Sequence, residues 1–470
     1  MRWIADFFYL LAGLTYLPIA LYQIVIVGKN RRGWGERFGG VRSFDRDKPR
    51  IWLHAVSLGE VNCTPQLVSQ LKEERPDYEI VVSTTTDTGF ARAVQLYGRE
   101  NVFRFPLDFS VVVSRVLERI NPQAIVLVEL EVWYNLVRMA TRRGVPVVVV
   151  NGRLTERSAK RFRYIHALCR PMFSDLKWVG AQDEAIAARF QDLGVDPQRV
   201  EVTSSLKWDT AIVADHIEGE DELAAAMDID RKRPLWVCGS TGPGEEAIIL
   251  DAYRELLGGR RSTEPAGCVP DAPYGVGLSG ASRTHPTAQG QEAPVKREFA
   301  PMLAIIPRKP ERFDEVAKLI ERSGFTCIRR SMYKKDRQTD PPNEPYVLLG
   351  DTMGELRKFY SLADVVLVGR SLVPMGGSDP IEVAALGKPT IVGPHTGNFR
   401  LPVEALAARD AIRQLVDSSE LAETVASLLA DPGIGRELGV RAREVVLSHQ
   451  GATQRTIDGI IRVLDATSAQ

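Results

Sequence analysis

A glutamate stands near the amino terminus, where an apolar segment gives way to a helical pattern. Residues 54–60 read HAVSLGE and follow the apolar run RIWL at 50–53. Ser57 and Glu60 have the S-x-x-E spacing of a capping box, in which the serine accepts a bond from the glutamate amide and the glutamate reaches back to the serine amide. A carboxylate in this place could also take a proton from a bound alcohol. The spacing alone leaves both interpretations of Glu60 open.

A second capping pattern occurs late in the chain, in MGGSDPIE at 375–382. We predict Asp379 as the N-cap and Pro380 as the first helical residue, with Glu382 completing a D-x-x-E box. A glycine pair before a helix start leaves amides free to bind phosphate, and a glutamate can hold a ribose diol through its two oxygens. The alternative is a well-capped helix without a ligand.

Other turns also offer groups that bind phosphate. Arg308 directly follows an apolar run, and its guanidinium can fork onto a phosphate. GDTMGE at 350–355 predicts a turn and a helix start. The turn CGSTGPGEE at 238–246 has the order G-x-x-G-x-G, which differs from the dinucleotide fingerprint G-x-G-x-x-G. The sequence therefore disfavours an NAD enzyme, and it contains no G-x-x-x-x-G-K-[ST] phosphate loop.

A basic run follows another apolar segment, in NGRLTERSAKRFR at 151–163. The bland interpretation is a solvated helix face, and the alternative is a patch for an anionic substrate held at a membrane. The formal net charge of the chain is zero, which argues against a nucleic-acid partner. The five cysteines form no C-x-x-C pair and no histidines form an H-E-x-x-H motif, so we predict reduced thiols and no metal site.

The amino terminus carries an apolar stretch at 7–27, close to the ~20 residues that cross a bilayer as a helix. Basic residues follow it, which favours a cytoplasmic carboxyl side. A cleaved signal peptide and a helix lying in the membrane interface are the alternatives. We favour a retained anchor with a basic flank at 1–35.

The elements that position these residues alternate between buried strands and helices, which indicates βαβ units and parallel sheets. A length of 470 residues favours two domains. We predict the first domain at 36–212, a polar linker at 213–232 and a second domain at 233–447. The segment 258–299 is rich in Gly, Pro, Ser and Thr, and we predict a disordered insertion there. A ligand is expected in a cleft at the carboxyl ends of the strands.

Taken in chain order, these segments resemble one family, the bacterial 3-deoxy-D-manno-octulosonic acid (Kdo) transferases of lipopolysaccharide synthesis. The resemblance runs from about residue 32 to 400. The matching segments are HAVSLGE, STTTDTGF, FPLDF, VELEVWYNL, NGRLTERS, GSTGPGEE, PRKPERF, GDTMGELRKFYSLADVVLVGRSLVP, GGSDPIEVAALGKP and GPHTGNF. The resemblance implies an α/β protein of GT-B fold, with two Rossmann-like domains facing a cleft. It also implies that a final helix at 448–470 returns to the first domain.

The resemblance further implies an inverting transfer of Kdo from CMP-Kdo to a lipid A precursor, lipid IV(A), at the cytoplasmic face of the inner membrane. No metal or cofactor is implied. The general base of the family maps onto Glu60, which a helix amino terminus would keep ionised. The CMP-binding positions map onto Pro307, Arg308, Met353, Gly354, Glu355, Asp379, Pro380, Ile381 and Glu382, together with Lys207 and Ser240. Acceptor or auxiliary positions map onto Glu131, Arg153 and Arg157.

The chain departs from the family pattern at the second capping motif. Ser378 and Asp379 replace the usual His and Asn, and a carboxylate there adds like charge to a phosphate site unless it faces the helix amides. Two alternatives therefore stay open. One is a related GT-B enzyme, either a transferase for another nucleotide sugar or a sugar-nucleotide epimerase. The other is a non-catalytic binding homologue.

Overall fold

The computed structural model describes most of the chain, in five ranges. These are 2–25, 32–44, 47–258, 300–332 and 345–468. Apart from residue 258, the predicted insertion at 258–299 lies outside the described residues. The chain divides into two compact units: unit 1 comprises Met1–Thr210 with His449–Gln470, and unit 2 comprises Ala211–Ser448.

Unit 1 contains a seven-stranded sheet whose strands all run parallel. The strands are β1 Arg50–His54, β2 Glu79–Thr84, β3 Val102–Arg104, β4 Ala124–Val128, β5 Val147–Gly152, β6 Trp178–Ala181 and β7 Val200–Val202. Their order is β3-β2-β1-β4-β5-β6-β7. Every residue of β1, β4 and β5 is buried, as expected for a parallel sheet covered on both faces.

The helices of unit 1 connect these strands. They are α1 Arg2–Val25, α2 Trp34–Arg37, α3 Leu58–Asn62, α4 Pro65–Glu74, α5 Asp87–Tyr97, α6 Ser110–Ile120, α7 Tyr134–Arg142, α8 Glu156–Tyr164, α9 His166–Ser174, α10 Glu184–Asp192 and α11 Leu206–Asp209. Short 3₁₀ turns occur at Arg99–Asn101 and Pro197–Arg199. Sequential strands are parallel neighbours or near neighbours because each connection crosses back over the sheet.

Helix α1 is held against α6 and α7 by its first turns. The Asp6 carboxylate accepts bonds of 2.9 Å from the Ser110 amide and from Asn135 Nδ2. The Tyr9 ring meets Phe109 edge to face, with 6.2 Å between ring centroids. Within the described residues, no helix combines the length and apolar character needed to cross a membrane. The spanning anchor predicted for 7–27 is therefore not supported.

Unit 2 contains a second parallel sheet of seven strands. The strands are β8 Leu235–Thr241, β9 Met302–Pro307, β10 Thr326–Arg329, β11 Tyr346–Leu349, β12 Val365–Val368, β13 Thr390–Val392 and β14 Arg413–Gln414. Their order is β10-β11-β9-β8-β12-β13-β14. Two parallel sheets in an α/β protein confirm this part of the predicted fold.

The helices of unit 2 pack around this sheet. They are α12 Glu220–Ala226, α13 Glu245–Leu256, α14 Phe313–Arg322, α15 Leu356–Leu362, α16 Ile381–Ala385, α17 Arg400–Ala407, α18 Leu421–Ala430 and α19 Pro432–His449. Short 3₁₀ turns occur at Pro310–Arg312, Arg330–Met332, Gly397–Phe399 and Ser418–Glu420. The polar stretch 213–232, predicted as a linker, contains α12.

The last helix, α20 Ala452–Ser468, belongs to unit 1. The Asp209 carboxylate accepts bonds from the amides of Gly451 at 2.8 Å and Thr453 at 2.5 Å. These bonds satisfy amides at the start of α20, which its own backbone cannot do. Ile457 and Leu464 join the apolar core that packs on the sheet of unit 1.

Candidate active site

Glu60 is held at the start of α3 by the predicted cap. The Ser57 hydroxyl accepts a bond of 3.4 Å from the Glu60 amide and donates one of 2.8 Å to Glu60 Oε1. Glu60 Oε2 accepts a further bond of 2.8 Å from the Val56 amide. The side chain is partly buried, and these bonds fix its direction. The capping interaction is therefore present. It fixes the position of the Glu60 carboxylate, and it is compatible with a chemical role for that group.

Burial has the largest effect on the charge of Glu60. It raises the pKa of the carboxyl group; the bonds from Val56 and Ser57 lower it, and the charge of Glu129 raises it again. Burial therefore acts against the helix amino terminus, which we expected to keep Glu60 ionised. A carboxylate with a raised pKa accepts a proton more readily than an ordinary one.

Glu131 lies close to Glu60, because β1 and β4 are neighbouring strands and both residues follow their carboxyl ends. Burial, followed by the charge of Glu60, raises the pKa of Glu131 to about 7. Trp133 Nε1 donates a bond of 3.1 Å to Glu131 Oε2. The charge of Glu129 also raises the pKa of Glu131. Glu129 has a left-handed backbone conformation, with a φ of 61°. The structure thus brings two predicted site residues together and adds Glu129 and Trp133, which the sequence did not single out.

The basic residues predicted for the acceptor follow β5 in the chain. Arg153 directly follows β5, which pairs with β4, so it lies at the same edge of the sheet as Glu131. Arg157 is exposed on α8, where Lys160 forms an ion pair of 2.8 Å with Glu156. This helix face is solvated, as the bland interpretation predicted, and an acceptor role for Arg153 and Arg157 stays a prediction.

The residues predicted to bind CMP follow the carboxyl ends of neighbouring strands in unit 2. Ser240 is near the end of β8, Arg308 directly follows β9, and the turn at 353–355 follows β11. The segment at 379–382 follows β12 and leads into α16. Since β11, β9, β8 and β12 are consecutive in the sheet, these residues share one edge. Lys207 is the exception, because it lies on α11 in unit 1.

The N-cap residue of α16 is Pro380 and not the predicted Asp379, and the helix begins at Ile381, one residue later than predicted. The residue before the N-cap is Asp379. Its Oδ1 accepts a bond of 3.0 Å from the Ile381 amide, so the carboxylate faces the start of α16. Pro380 and Ile381 are buried behind it. Burial and then the charge of Asp379 raise the pKa of Glu382, and the charges of Arg357 and Arg308 lower it. Arg308 and Glu382 therefore lie close enough to interact, and Arg357 joins them.

The turn after β11 is held by an ion pair that the sequence did not predict. Arg330 donates two bonds of 3.1 Å to Glu355, whose carboxylate also accepts one from the Thr352 hydroxyl. Burial raises the pKa of Glu355, but the bonds from Thr352 and Arg330 outweigh it and leave the pKa lowered. Glu355 thus anchors the turn, while Met353 beside it is 70% exposed.

Tyr360 is a further residue that sequence reasoning missed. It is fully buried, and its hydroxyl bonds to the Ser240 side chain. A Cβ atom at Gly239 would lie 2.3 Å from that hydroxyl oxygen, so only glycine allows the approach. In the sequence, only Gly239 in the turn at 238–246 indicates that another group approaches the backbone there. Among the described residues, no three His, Cys, Asp or Glu side chains are grouped so that they could hold a metal ion.

Solved structures show the class of fold. UDP-GlcNAc 2-epimerase from Neisseria meningitidis bound to UDP-GlcNAc is 13% identical, with a TM-score of 0.53 over 88% of this chain and 100% of that one. A glycosyltransferase from Rickettsia africae is 10% identical, with a TM-score of 0.52 over 90% of this chain and 99% of that one. At these identities the likeness shows the fold alone, which is the GT-B type.

Sequence relatives then show the family. A family model described as 3-deoxy-D-manno-octulosonic-acid transferase (kdotransferase) matches residues 32–210. A 3-deoxy-D-manno-octulosonic acid transferase of Haemophilus influenzae is 31% identical over 96% of this chain and 97% of its own length. One of Bordetella pertussis is 32% identical over 87% and 86%. The chain belongs to the 3-deoxy-D-manno-octulosonic acid transferase family of glycosyltransferases, which confirms the resemblance.

Proposed function

We propose that the protein transfers Kdo from CMP-Kdo to a lipid A precursor, lipid IV(A), with inversion at the anomeric carbon. Family membership supports a Kdo transferase. The observation that carries the proposed chemistry is the pair of carboxyl groups at one sheet edge, Glu60 and Glu131. A sugar hydroxyl is a poor nucleophile at neutral pH, so a positioned carboxylate must take its proton as the new bond forms.

Glu60 is the proposed base. The acceptor oxygen forms a bond to the anomeric carbon, the bond from that carbon to the phosphate oxygen breaks, and CMP leaves with the electron pair. The hydroxyl proton passes to Glu60. For this, one carboxylate oxygen exchanges its bond with Ser57 or Val56 for one with the acceptor.

We propose that Glu131 limits the negative charge beside Glu60. Two neighbouring carboxyl groups lose their protons in turn, and the group with the more strongly raised pKa keeps its proton longer. The pKa of Glu131 rises to about 7, so near neutral pH it holds a proton for much of the time and adds less negative charge beside Glu60. Glu131 thus acts indirectly, through its effect on the charge of Glu60.

The proposed donor contacts lie in unit 2. Arg308 and the amides at the start of α16 face the phosphate of CMP and stabilise its charge as it leaves, without a metal ion. Glu382 holds the ribose hydroxyls. Met353, Gly354 and the other mapped residues of unit 2 line the cytidine site.

The lipid acceptor places the proposed reaction at the cytoplasmic face of the inner membrane. Five large apolar side chains between residues 7 and 14 of α1 are 50–62% exposed: Phe7, Phe8, Leu10, Leu11 and Leu14. A helix with such a row can lie in the membrane interface with its apolar side chains among the lipids. We therefore propose interfacial contact, the alternative that the sequence left open.

One assay tests the reaction. The purified protein is supplied with CMP-Kdo and a tetraacyl lipid A precursor, and the lipid is examined by mass spectrometry for the added Kdo. We expect Glu60→Gln to lower the rate at least 100-fold, because a positioned base contributes about 10²–10⁴-fold. CMP binding, measured by calorimetry, is expected to stay unchanged.

Glu73→Gln, which removes an exposed carboxylate from α4, is the matched control and should keep full activity. Full turnover in Glu60→Gln would refute its role as the base. Binding of CMP-Kdo by the native protein without any transfer would favour the non-catalytic homologue.

A further inference from the structure

A cavity of about 640 Å³ lies in unit 1, among residues that none of the roles above uses. We call it the arginine cavity. Its charged and aromatic lining consists of Arg32, Glu36, Asp87, Phe90, Arg99 and Arg104. The volume is in the range of small-ligand sites.

Arg104 carries the strongest indication of a ligand. It ends β3 and is only 5% exposed. Its Nη2 donates a bond of 2.6 Å to Asp87, and its guanidinium lies 4.1 Å from the centre of the Phe90 ring. Its Nη1 is buried and has no hydrogen-bond partner among the described residues. A buried donor without a partner is costly and rare, so this nitrogen is suited to an acceptor that binds in the cavity.

Positive charge exceeds negative charge around the cavity. Three guanidinium groups line it against the carboxylates of Glu36 and Asp87. Arg99 donates bonds of 2.6 Å to Glu36 and to the Val102 carbonyl, which fixes its direction. Behind Arg104, burial lowers the pKa of Arg37 and the charge of Arg104 lowers it further. The cavity therefore favours an anion.

The arginine cavity lies at the same edge of the sheet as Glu60. Asp87, which lines it, begins α5 directly after β2, the neighbour of β1. The first turn of α5 packs on the loop that carries the base, since a Cβ atom at Gly89 would lie 3.2 Å from the Ser57 carbonyl carbon. One extended molecule could therefore enter the cavity and present a hydroxyl to Glu60.

We propose that the arginine cavity binds a phosphate ester of the acceptor, which Arg104 Nη1, Arg99 and Arg32 contact. A phosphate offers several oxygens to donors from different directions, and guanidinium forks match it well. This inference rests on the proposed function, because the bound ester would orient the acceptor hydroxyl toward Glu60.

The test compares a phosphorylated lipid acceptor with the same acceptor after phosphatase treatment, both in neutral detergent micelles. We expect Arg99→Gln and Arg104→Gln each to raise KM for the phosphorylated acceptor about tenfold, the effect of one charge-assisted hydrogen bond. For the dephosphorylated acceptor, the variants and the native protein should have the same KM. Arg92→Gln, which replaces a partly buried arginine of α5 that does not line the cavity, is the matched control and should change neither value.

The outcomes separate this inference from the proposed function. Unchanged KM in Arg99→Gln, or equal KM of the native protein for the two acceptors, would overturn the phosphate site while transfer itself stands. Absence of transfer by the native protein would overturn both. An effect seen only when anionic phospholipid is added would assign the cavity to a lipid headgroup and overturn the acceptor assignment. Arg99 is 59% exposed, so Arg99→Gln keeps the test valid if Arg104→Gln fails to fold.

Discussion

Glu60 lies close enough to Glu131 for its negative charge to help raise the pKa of Glu131 to about 7, after burial, which is the larger cause. The two carboxyl groups follow neighbouring strands of one sheet. A proton is therefore taken up and released within this pair near neutral pH. The pair affects both the chemistry of the site and the dependence of stability on pH.

Replacing Glu131 should change how stability varies with pH. The folded protein holds the Glu131 proton up to about pH 7, whereas the unfolded chain loses it near 4.5. The native protein therefore loses stability as the pH rises through this window, by about 3 kcal/mol at most. Glu131→Gln lacks that loss, so its free energy of unfolding relative to the native protein should rise between pH 4.5 and 7.5.

Urea unfolding at several pH values measures this difference. Asp108, whose pKa burial also raises to about 7, contributes equally to both proteins and cancels. Glu60→Gln should lessen the loss in the native background, because it removes the neighbouring charge. A difference between Glu131→Gln and the native protein that is constant with pH would contradict the prediction.

Arg308 should matter for the donor. We expect Arg308→Gln to raise KM for CMP-Kdo about tenfold, because the phosphate loses a charge-assisted hydrogen bond. KM for the acceptor should stay the same. Steady-state kinetics with each substrate varied in turn gives both values. Arg322→Gln, an exposed arginine at the end of α14, serves as the control, and an equal effect there would show that Arg308 has no specific role.

Gly239→Ala should destabilise unit 2. The added Cβ would lie 2.3 Å from ring and hydroxyl atoms of the fully buried Tyr360, so the ring must shift. Overpacking of this kind costs about 1–3 kcal/mol. Chemical denaturation followed by circular dichroism measures the loss. Gly397→Ala, where a Cβ meets nothing within 4 Å, should be close to neutral, and a loss there of the same size would refute the steric explanation.

The sequence predicts the sheets well because each buried strand is a short, continuous run of apolar residues. RIWL at 50–53 became β1, and the valines at 147–150 became β5, in which every residue is buried. The cap at Ser57 and Glu60 was also predictable, since its partners are three residues apart. Asp379 also bonds locally, to the Ile381 amide two residues on, although α16 begins one residue later than predicted.

Features that depend on distant parts of the chain could not be predicted in this way. The strands β9, β10 and β11 lie between Ser240 and Tyr360 in the sequence, so no local pattern predicts their contact. The raised pKa of Glu60 depends on which residues bury its side chain, and the spacing of residues in the sequence does not predict these neighbours. The polar stretch 213–232 looks like a linker in the sequence because acidic residues fill the first turn of α12. That Leu223 in this helix is buried depends on the rest of the fold.

Arg312 and Glu246 form a buried ion pair in unit 2. Arg312 donates bonds of 2.6 and 3.1 Å to the two oxygens of Glu246, which is 0% exposed and also accepts one of 2.8 Å from the Thr241 hydroxyl. Arg312→Ala leaves that carboxylate buried without its cation, which should cost about 3–5 kcal/mol. Urea unfolding measures this loss directly.

The double variant Arg312→Met with Glu246→Leu distinguishes the charge from the packing. It removes both ions and keeps side chains of similar volume, so it should recover most of the lost stability. The pair ties the start of α13, which follows β8 and its residue Ser240, to the segment after β9, which carries Arg308. We therefore expect KM for CMP-Kdo to rise in the double variant even where its stability returns. A donor KM equal to that of the native protein would show that the pair stabilises unit 2 without positioning the donor residues.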